Sequence, residues 1–332
     1  MAHNGLMPKV MTLEGLLFID GQDAYTTYNV VVLKGGHNGL LQWPPLKAVE
    51  TNDWHEYDGI EADLSSPILD GKEFPVDFYI FGRASRGANL ARFVSALRDG
   101  SYHTMNFAAV GRSVKLRVVS FGEPVLCSDG LKISITFADD FPLNGYEYLA
   151  PSSQLPESRD YLIDDIPFTD YGVRVIEGSL KAVMNMPDVK KNLLRNISNV
   201  PGVIYDDPAE SEEENVDTTV KLSFRDLKLR CFIMASSLSE FWRNYDALLY
   251  DLVQPEARVL NSWETSKKLD CYYKSSDIEK VSMNQDGGSI GVIFSITFNV
   301  LSETKILRLL ATEESAVITT ETGRALEVEF SI

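Results

Sequence analysis

The feature that most limits what this 332-residue chain can become is that its second half repeats its first. Leu17-Phe18-Ile19-Asp20-Gly21 precedes Thr27-Tyr28-Asn29-Val30, and Tyr161-Leu162-Ile163-Asp164-Asp165 precedes Asp170-Tyr171-Gly172-Val173. Each passage reads as a short apolar strand, an acidic turn, and a tyrosine before Asn29 or Gly172. Asn and Gly are the residues most at ease at positive φ. A second strand follows each, over 30–33 and 173–176. Searching for such self-similarity comes first, because a repeat missed misassigns the whole fold.

The order then continues in parallel. Phe74-Pro75-Val76-Asp77-Phe78-Tyr79-Ile80 and Val220-Lys221-Leu222-Ser223-Phe224 alternate with period two, the mark of a half-buried strand. A helix follows in each half. Leu90, Phe93, Val94 and Leu97 form one apolar stripe, ended by Asp99-Gly100. Leu238, Phe241, Trp242, Tyr245, Leu249 and Leu252 form the other, opened by a Ser237/Glu240 capping box. Lys115-Leu116-Arg117-Val118-Val119 answers Lys268-Leu269-Asp270-Cys271-Tyr272, and Asp129-Gly130 answers Asp286-Gly287-Gly288. Ser134-Ile135-Thr136-Phe137 recurs letter for letter as Ser295-Ile296-Thr297-Phe298. The offset drifts in one direction, from 143 at the tyrosines to 161 at this tetrapeptide, as loop insertions in a second copy would produce.

This pattern predicts a mainly β, α+β chain of two tandem β-sandwich or barrel domains, each with one flanking helix. The domains span 10–150 and 160–303, with 151–159 as linker. Residues 304–332 form an extension, where 316–320 and 325–330 flank Glu321-Thr322-Gly323-Arg324 as a β-hairpin. Long loops fall before the third strand of each unit. Residues 206–217 hold seven acidic residues in twelve, too charged to pack, and their deletion is expected to leave the fold nearly unchanged.

Composition narrows the function. The net charge is −17, with 12 basic against 18 acidic residues in 1–150 and 19 against 30 in 151–332. Affinity for nucleic acid rests largely on Lys and Arg at phosphates, so such a chain repels DNA. No stretch reaches the run of about 18 apolar residues that a spanning helix needs, and 1–10 lacks the apolar core of a signal peptide. Cys127, Cys231 and Cys271 are odd in number and far apart, which supports neither a zinc ribbon nor a disulfide framework; buried, inert thiols are expected.

Candidate chemistry is thin. Asp58, Glu61 and Asp63 are the best carboxylate cluster, but Glu61 and Asp63 alternate with Ile60, Ala62 and Leu64 and so share the polar face of one strand. His3, His37, His55 and His103 show no ligand spacing and read as surface or turn residues. Gly35-Gly36-His37-Asn38-Gly39 lacks the Lys-Ser/Thr of a phosphate loop and reads as a loop reaching towards a neighbouring subunit. Trp43, Trp54 and Tyr57, near Pro44-Pro45, form either a partner- or sugar-contact loop or packing beneath it. No catalytic residue, metal or cofactor is expected, and the chain is not expected to be an enzyme.

The stretch Phe18-Ile19-Asp20-Gly21-Gln22-Asp23-Ala24-Tyr25-Thr26-Thr27-Tyr28 resembles the start of the distal tail and tail-tip (baseplate) hub proteins of tailed phages. So does the run from Trp54 through Asp58-Gly59-Ile60-Glu61-Ala62-Asp63-Leu64 to the strand at Val76. The likeness covers about residues 15–80 and is fainter in the second half, where Tyr171-Gly172 carries it; residue 29 is Asn where that family has Gly. The resemblance implies tail-tube-like domains whose strands join those of neighbours into a ring around a DNA channel. It implies a virion protein of the tail tip, made in the host cytoplasm, that joins the tail tube protein to other tail-tip proteins without membrane insertion. Three tandem chains close a pseudo-six-fold ring, so a trimer is expected first and a hexamer second. Glu61 and Asp63 would then line the channel, and Trp43, Trp54 and Tyr57 would meet a partner. The alternative is a carbohydrate-binding, host-adhesion β-sandwich that uses those aromatics.

Overall fold

In a computed structural model, the described residues are 13–54, 57–176, 179, 183, 190, 221–223, 225–262, 267–283, 289–305, 308–309 and 327–328. The first half builds an antiparallel sheet from β1 (Leu17–Ile19), β2 (Gln22–Asp23) and β3 (Val30–Val32). After the pair β4 (Thr51–Asn52) and β5 (Glu61–Ala62) it adds β6 (Lys72–Phe81), β7 (Tyr102–Phe107), β8 (Arg112–Phe121), β9 (Val125–Leu126) and β10 (Gly130–Asp139). The second half builds another from β11 (Tyr161–Ile163), β12 (Ile166–Pro167), β13 (Val173–Val175), β14 (Arg225–Ala235), β15 (Arg258–Ser262), β16 (Lys267–Met283) and β17 (Ile290–Lys305). The strand orders are β2-β1-β7-β8-β10-β6-β3, with β9 beside β10, and β12-β11-β15-β16-β17-β14-β13. Strand for strand, these are one topology written twice.

The correspondence reaches the backbone. Asp20 and Gly21 (φ 49° and 79°) join β1 to β2; Asp164 and Asp165 (φ 49° and 66°) join β11 to β12. Two successive positive φ values are what a two-residue turn between right-twisted strands requires. Each turn aspartate then clamps the neighbouring strand. Asp20 accepts from Thr104 N (2.8 Å) and meets His103 Nδ1 (2.8 Å), while its own N–H donates to Thr104 O. Asp164 accepts from Val259 N and Arg258 Nη1, both at 2.8 Å, and its N–H donates to Val259 O. The chain next turns through α1 (Ala24–Tyr28), capped by Asn29 at φ 56°, or through a 3-10 turn (Phe168–Tyr171) capped by Gly172 at φ 69°.

The repeated tetrapeptides hold matching registers. Ser134 faces Asp77 and Phe137 faces Phe74; Ser295 faces Arg230 and Phe298 faces Leu227. On their other side both strands meet a bulge at the same point, where Val119 is skipped between Ser120 and Val118 and Lys274 between Ser275 and Tyr273. The strand that answers β6 is β14, which starts after the stretch that the alternation of residues 220–224 marked. The structure also adds β7 and β15.

Two longer helices cover the sheets. In α2 (Arg86–Leu97), Phe93 and Leu97 are buried, with Phe93 against Phe78 (5.2 Å between rings). In α3 (Leu238–Leu252), Ser237 accepts from Glu240 N (3.2 Å), but Glu240 reaches back to Ser236 N (2.9 Å), one residue earlier than a standard capping box. Buried residues of both halves belong to one continuous apolar cluster. The 151–159 segment is fastened to α3, with Ser152 N donating to Asn244 Oδ1 (2.8 Å) and Asn244 Nδ2 to Ser152 O (2.9 Å).

At the C-terminus, β18 (Arg308–Leu309) pairs antiparallel with β19 (Glu327–Val328). The second strand lies inside the expected 325–330, whereas the first falls earlier than 316–320. The acidic run 206–217 and the Asp286-Gly287-Gly288 turn lie outside the described residues.

Candidate functional site

The residues singled out from the sequence fall along an arm of the first half that leaves β3 and returns at β6. Trp43 is a correction. It is 3% exposed and packs against Tyr245 (4.5 Å), Phe294 (5.3 Å) and Tyr273 (6.1 Å), all in the second half, so it is not a surface contact. Its indole N–H finds no partner among the described residues. Tyr245 Oη donates to Leu41 O (2.9 Å) and Tyr273 Oη to Pro44 O (2.8 Å), which ties the arm's backbone to the same cluster.

Charges complete this seam. Arg112 at the start of β8 pairs with Asp246 of α3, and its guanidinium lies 4.3 Å from the centre of the Trp242 ring. Such a placement combines an ion pair with a cation–π contact. Lys72 donates to Leu40 O (2.9 Å) and Gln42 O (2.7 Å). Burial pushes the Asp246 and Asp139 carboxyls up, against the opposing pull of Arg112 and Lys72, and pushes the Lys72 ammonium down to about 8. The Arg112–Asp246 pair joins the two halves, the Lys72 bonds hold the arm to β6, and Arg112 and Asp139 also line a cleft of about 710 Å³ with Tyr102 and Ser113.

Farther out, the arm crosses the end of β17. Gly59 N donates to Leu222 O (3.0 Å) and Ile60 N to Leu301 O (3.1 Å). Gly59 has φ 76°, and a Cβ there would stand 2.1 Å from Leu301 O, so glycine is required. Lys190 Nζ is the lock: it donates to Trp54 O (2.7 Å), Tyr57 O (2.8 Å) and Gly59 O (2.6 Å) and pairs with Asp53 (2.6 Å). Sequence reasoning missed this lysine because its partners lie more than 130 residues away and no local pattern marks it.

Trp54 and Tyr57 stay exposed, at 50% and 70%, beside a cleft of about 650 Å³ that Asp58, Glu61 and Asp270 also line. Trp54 Nε1 donates to Glu61 Oε2 (3.0 Å), and Asp58 Oδ1 accepts from Leu222 N (2.7 Å). Asp63 accepts from Ser65 N and Oγ, and the hydroxyl holds its carboxyl below the ordinary range. Glu61 and Asp63 are both exposed, and the carboxylates point to separate partners; among the described residues no three His, Cys, Asp or Glu side chains gather as metal ligands.

Other expectations need correcting. His103 is 3% exposed and held between Asp20 and Asp99, not at the surface; His55 lies outside the described residues. The glycine run does not reach outwards: a Cβ at Gly36 would be 2.8 Å from Asp77 O and one at Gly39 2.6 Å from Phe74 Cβ, so both press onto β6. Cys231 and Cys271 are buried, which raises their thiol pKa, while Cys127 is partly exposed.

The outer face of the second sheet is a ladder of ion pairs across β17: Lys228 with Asp277 (3.0 Å), Arg230 with Glu279 (2.6 Å) and Lys274 with Asp226 (2.7 Å). Small residues between them, such as Ser295 and Thr297, let the long side chains meet. No helix among the described residues is long and apolar enough to cross a membrane.

No protein-family model matches the chain, and no curated protein does. Among solved structures, the SPP1 Dit (gp 19.1) protein, described as a paradigm of hub adsorption apparatus in Gram-positive infecting phages, is similar at 10% identity and a TM-score of 0.26. The match covers 87% of this chain and 98% of that one. Overlap this slight decides no role for the chain.

Proposed function

We propose that this chain is a non-enzymatic structural protein of a phage or prophage tail, made by tandem duplication of one β-module. It closes into a ring at the distal tail, joins the tail tube to tip proteins, and surrounds the DNA channel. The observation that carries this reading is the doubled module: the same strand order, turn clamp and β8/β16 bulge occur before and after residue 155. Two like modules fixed side by side through a buried seam are a segment of a ring, and repeating the same step with further copies extends it. Three chains give a pseudo-six-fold ring, the first choice, and six the second. The net charge of −17 suits a conduit that must not hold the DNA passing through it.

Light scattering and negative-stain microscopy of the purified chain test this. A closed ring of three or six copies is expected, and a monomer at every concentration overturns the reading. The cleft under Trp54 and Tyr57 favours one second reading, a sugar-binding adhesion module, although Trp43 is no longer available to it. Glycan-array binding by a monomer that Trp54→Ala abolishes would favour that alternative.

A further inference from the structure

We propose that the cleft between β7, β8 and the turn after β10 is a binding site for a neutral oligosaccharide. The site lies within the first half, and the proposal goes beyond the ring reading without depending on it. It is also separate from the cleft under Trp54 and Tyr57.

The floor is the solvent face of two paired strands. β7 alternates exposed and buried residues from Tyr102 to Phe107, and Thr104 of its exposed set faces Lys115 across the pair. Ser113 stands two residues from Lys115 on the same face, about 7 Å along the strand. The wall is the turn that runs from Asp139 to Tyr146. Together they enclose about 710 Å³, within the range of small-ligand sites.

The turn is built to hold an aromatic ring outwards. Asp140 accepts from Arg117 Nε (2.8 Å) and Nη2 (3.0 Å) and from Tyr102 Oη (2.7 Å), which fixes the start of the turn to both strands. Three residues on, Leu143 takes φ 59° and packs against the apolar core. A bulky side chain at positive φ costs on the order of 1–3 kcal/mol. Between these anchors Phe141 is left 62% exposed, its ring 5.8 Å from that of Tyr102 and tilted at 46°. Tyr102 is itself 43% exposed, and the bond from its hydroxyl to Asp140 sets the position of its ring. The two rings make a fixed apolar corner beside a polar cleft.

The lining decides the ligand. Thr104 and Ser113 bring hydroxyls that donate and accept, Asn144 an amide that does both, Lys115 a donor and Asp139 an acceptor. A cation and a carboxylate in one cleft favour neither sign of charge, and the net −17 of the chain opposes a polyanion. A peptide joining as a strand would need backbone groups. β7 and β8 use theirs on each other from Tyr102 to Phe107, so this face presents side chains only. A pyranose ring has an apolar C–H face, which an aromatic ring covers, and a rim of hydroxyls that donate and accept. The cleft is the complement of that pattern.

The test is an array of neutral oligosaccharides that includes chitotriose, maltotriose and mannotriose, read with the full chain, then calorimetry on the sugars that bind. Phe141→Ala should weaken binding about 10-fold, the upper end of what one aromatic contact contributes. It should keep the wild-type melting curve, because the side chain is exposed. Phe141→Tyr should bind like the wild type, and Trp54→Ala should leave binding unchanged. The proposal is overturned if the wild type binds no neutral sugar, or if binding survives Phe141→Ala in full. It is also overturned if Trp54→Ala abolishes binding, which would favour the second reading given above. A monomer that binds sugar through Phe141 would sink the ring and leave this site standing.

Discussion

Trp43 offers the sharpest test of how the two halves hold together. Replacing it with Ala removes the largest side chain that the first half sends into the second, at a site with 3% exposure and three aromatic neighbours within 6.1 Å. Buried aromatic-to-alanine changes cost about 3–5 kcal/mol. For 332 residues the unfolding entropy near the midpoint is roughly 0.7 kcal/mol/K, so Tm should fall by about 4–7 °C. Trp43→Phe should behave differently. It keeps a ring against Tyr245 and removes an N–H buried without a partner among the described residues, whose desolvation costs about 1–3 kcal/mol. The lost ring area and the relieved N–H then nearly cancel, to within about 1 kcal/mol. Urea unfolding followed by far-ultraviolet circular dichroism, with thermal melts alongside, measures both. If Trp43→Phe costs as much as Trp43→Ala, or Trp43→Ala costs under about 1 kcal/mol, the account of the seam is wrong.

Three further outcomes follow. Lys190→Met should cost about 2–4 kcal/mol, because three carbonyls lose their donor, and hydrogen exchange should rise over 57–61 before anywhere else in the arm. For Lys72 the folded value of about 8 lies below the ordinary 10.5, so the folded chain binds fewer protons between those limits and the residue's contribution to stability rises with pH there. Wild type should therefore gain on Lys72→Met across pH 8 to 10.5 in denaturant titrations, and a flat difference would refute the assignment. Of the three cysteines, only Cys127 should react with a thiol reagent in the native state, with Cys231 and Cys271 appearing on unfolding.

What could be read from the sequence was what the backbone dictates locally. The Asp20-Gly21 and Asp164-Asp165 turns, the residues at positive φ after each tyrosine, the stripe of α2 and the cap of α3 all leave marks within a few positions. What could not be read depends on partners far along the chain. Trp43 carries no sign that Tyr245 and Phe294 will enclose it, and His103 none that Asp20 will. β7 leaves no clear mark in the sequence because His103 occupies one of its inward positions, which breaks the apolar alternation; its Nδ1 meets the turn aspartate Asp20. The start of β14 is hidden in the sequence because Asp226, Lys228 and Arg230 give its outer face the pattern of a solvated loop, which their ion pairs with β16 explain.

The same division explains where the halves differ. Turns, caps and the bulge answer to backbone geometry, so they recur in both halves although the sequences around them differ. The two helices answer to what lies above them. α2 shows Gly87, Ala88, Ala91 and Arg92 to solvent, whereas at α3 Trp242, Tyr245 and Asp246 are buried against the first half. Two modules with no contact between them would each need a polar outer helix face, and no aromatic cluster would lie between them. Instead α3 carries Trp242 and Tyr245 where the first half presents Arg112 and Trp43 to meet them. That complementarity within one chain is directional: the first half supplies the arm with Trp43, and the second half supplies Tyr245, Tyr273 and Phe294 that receive it.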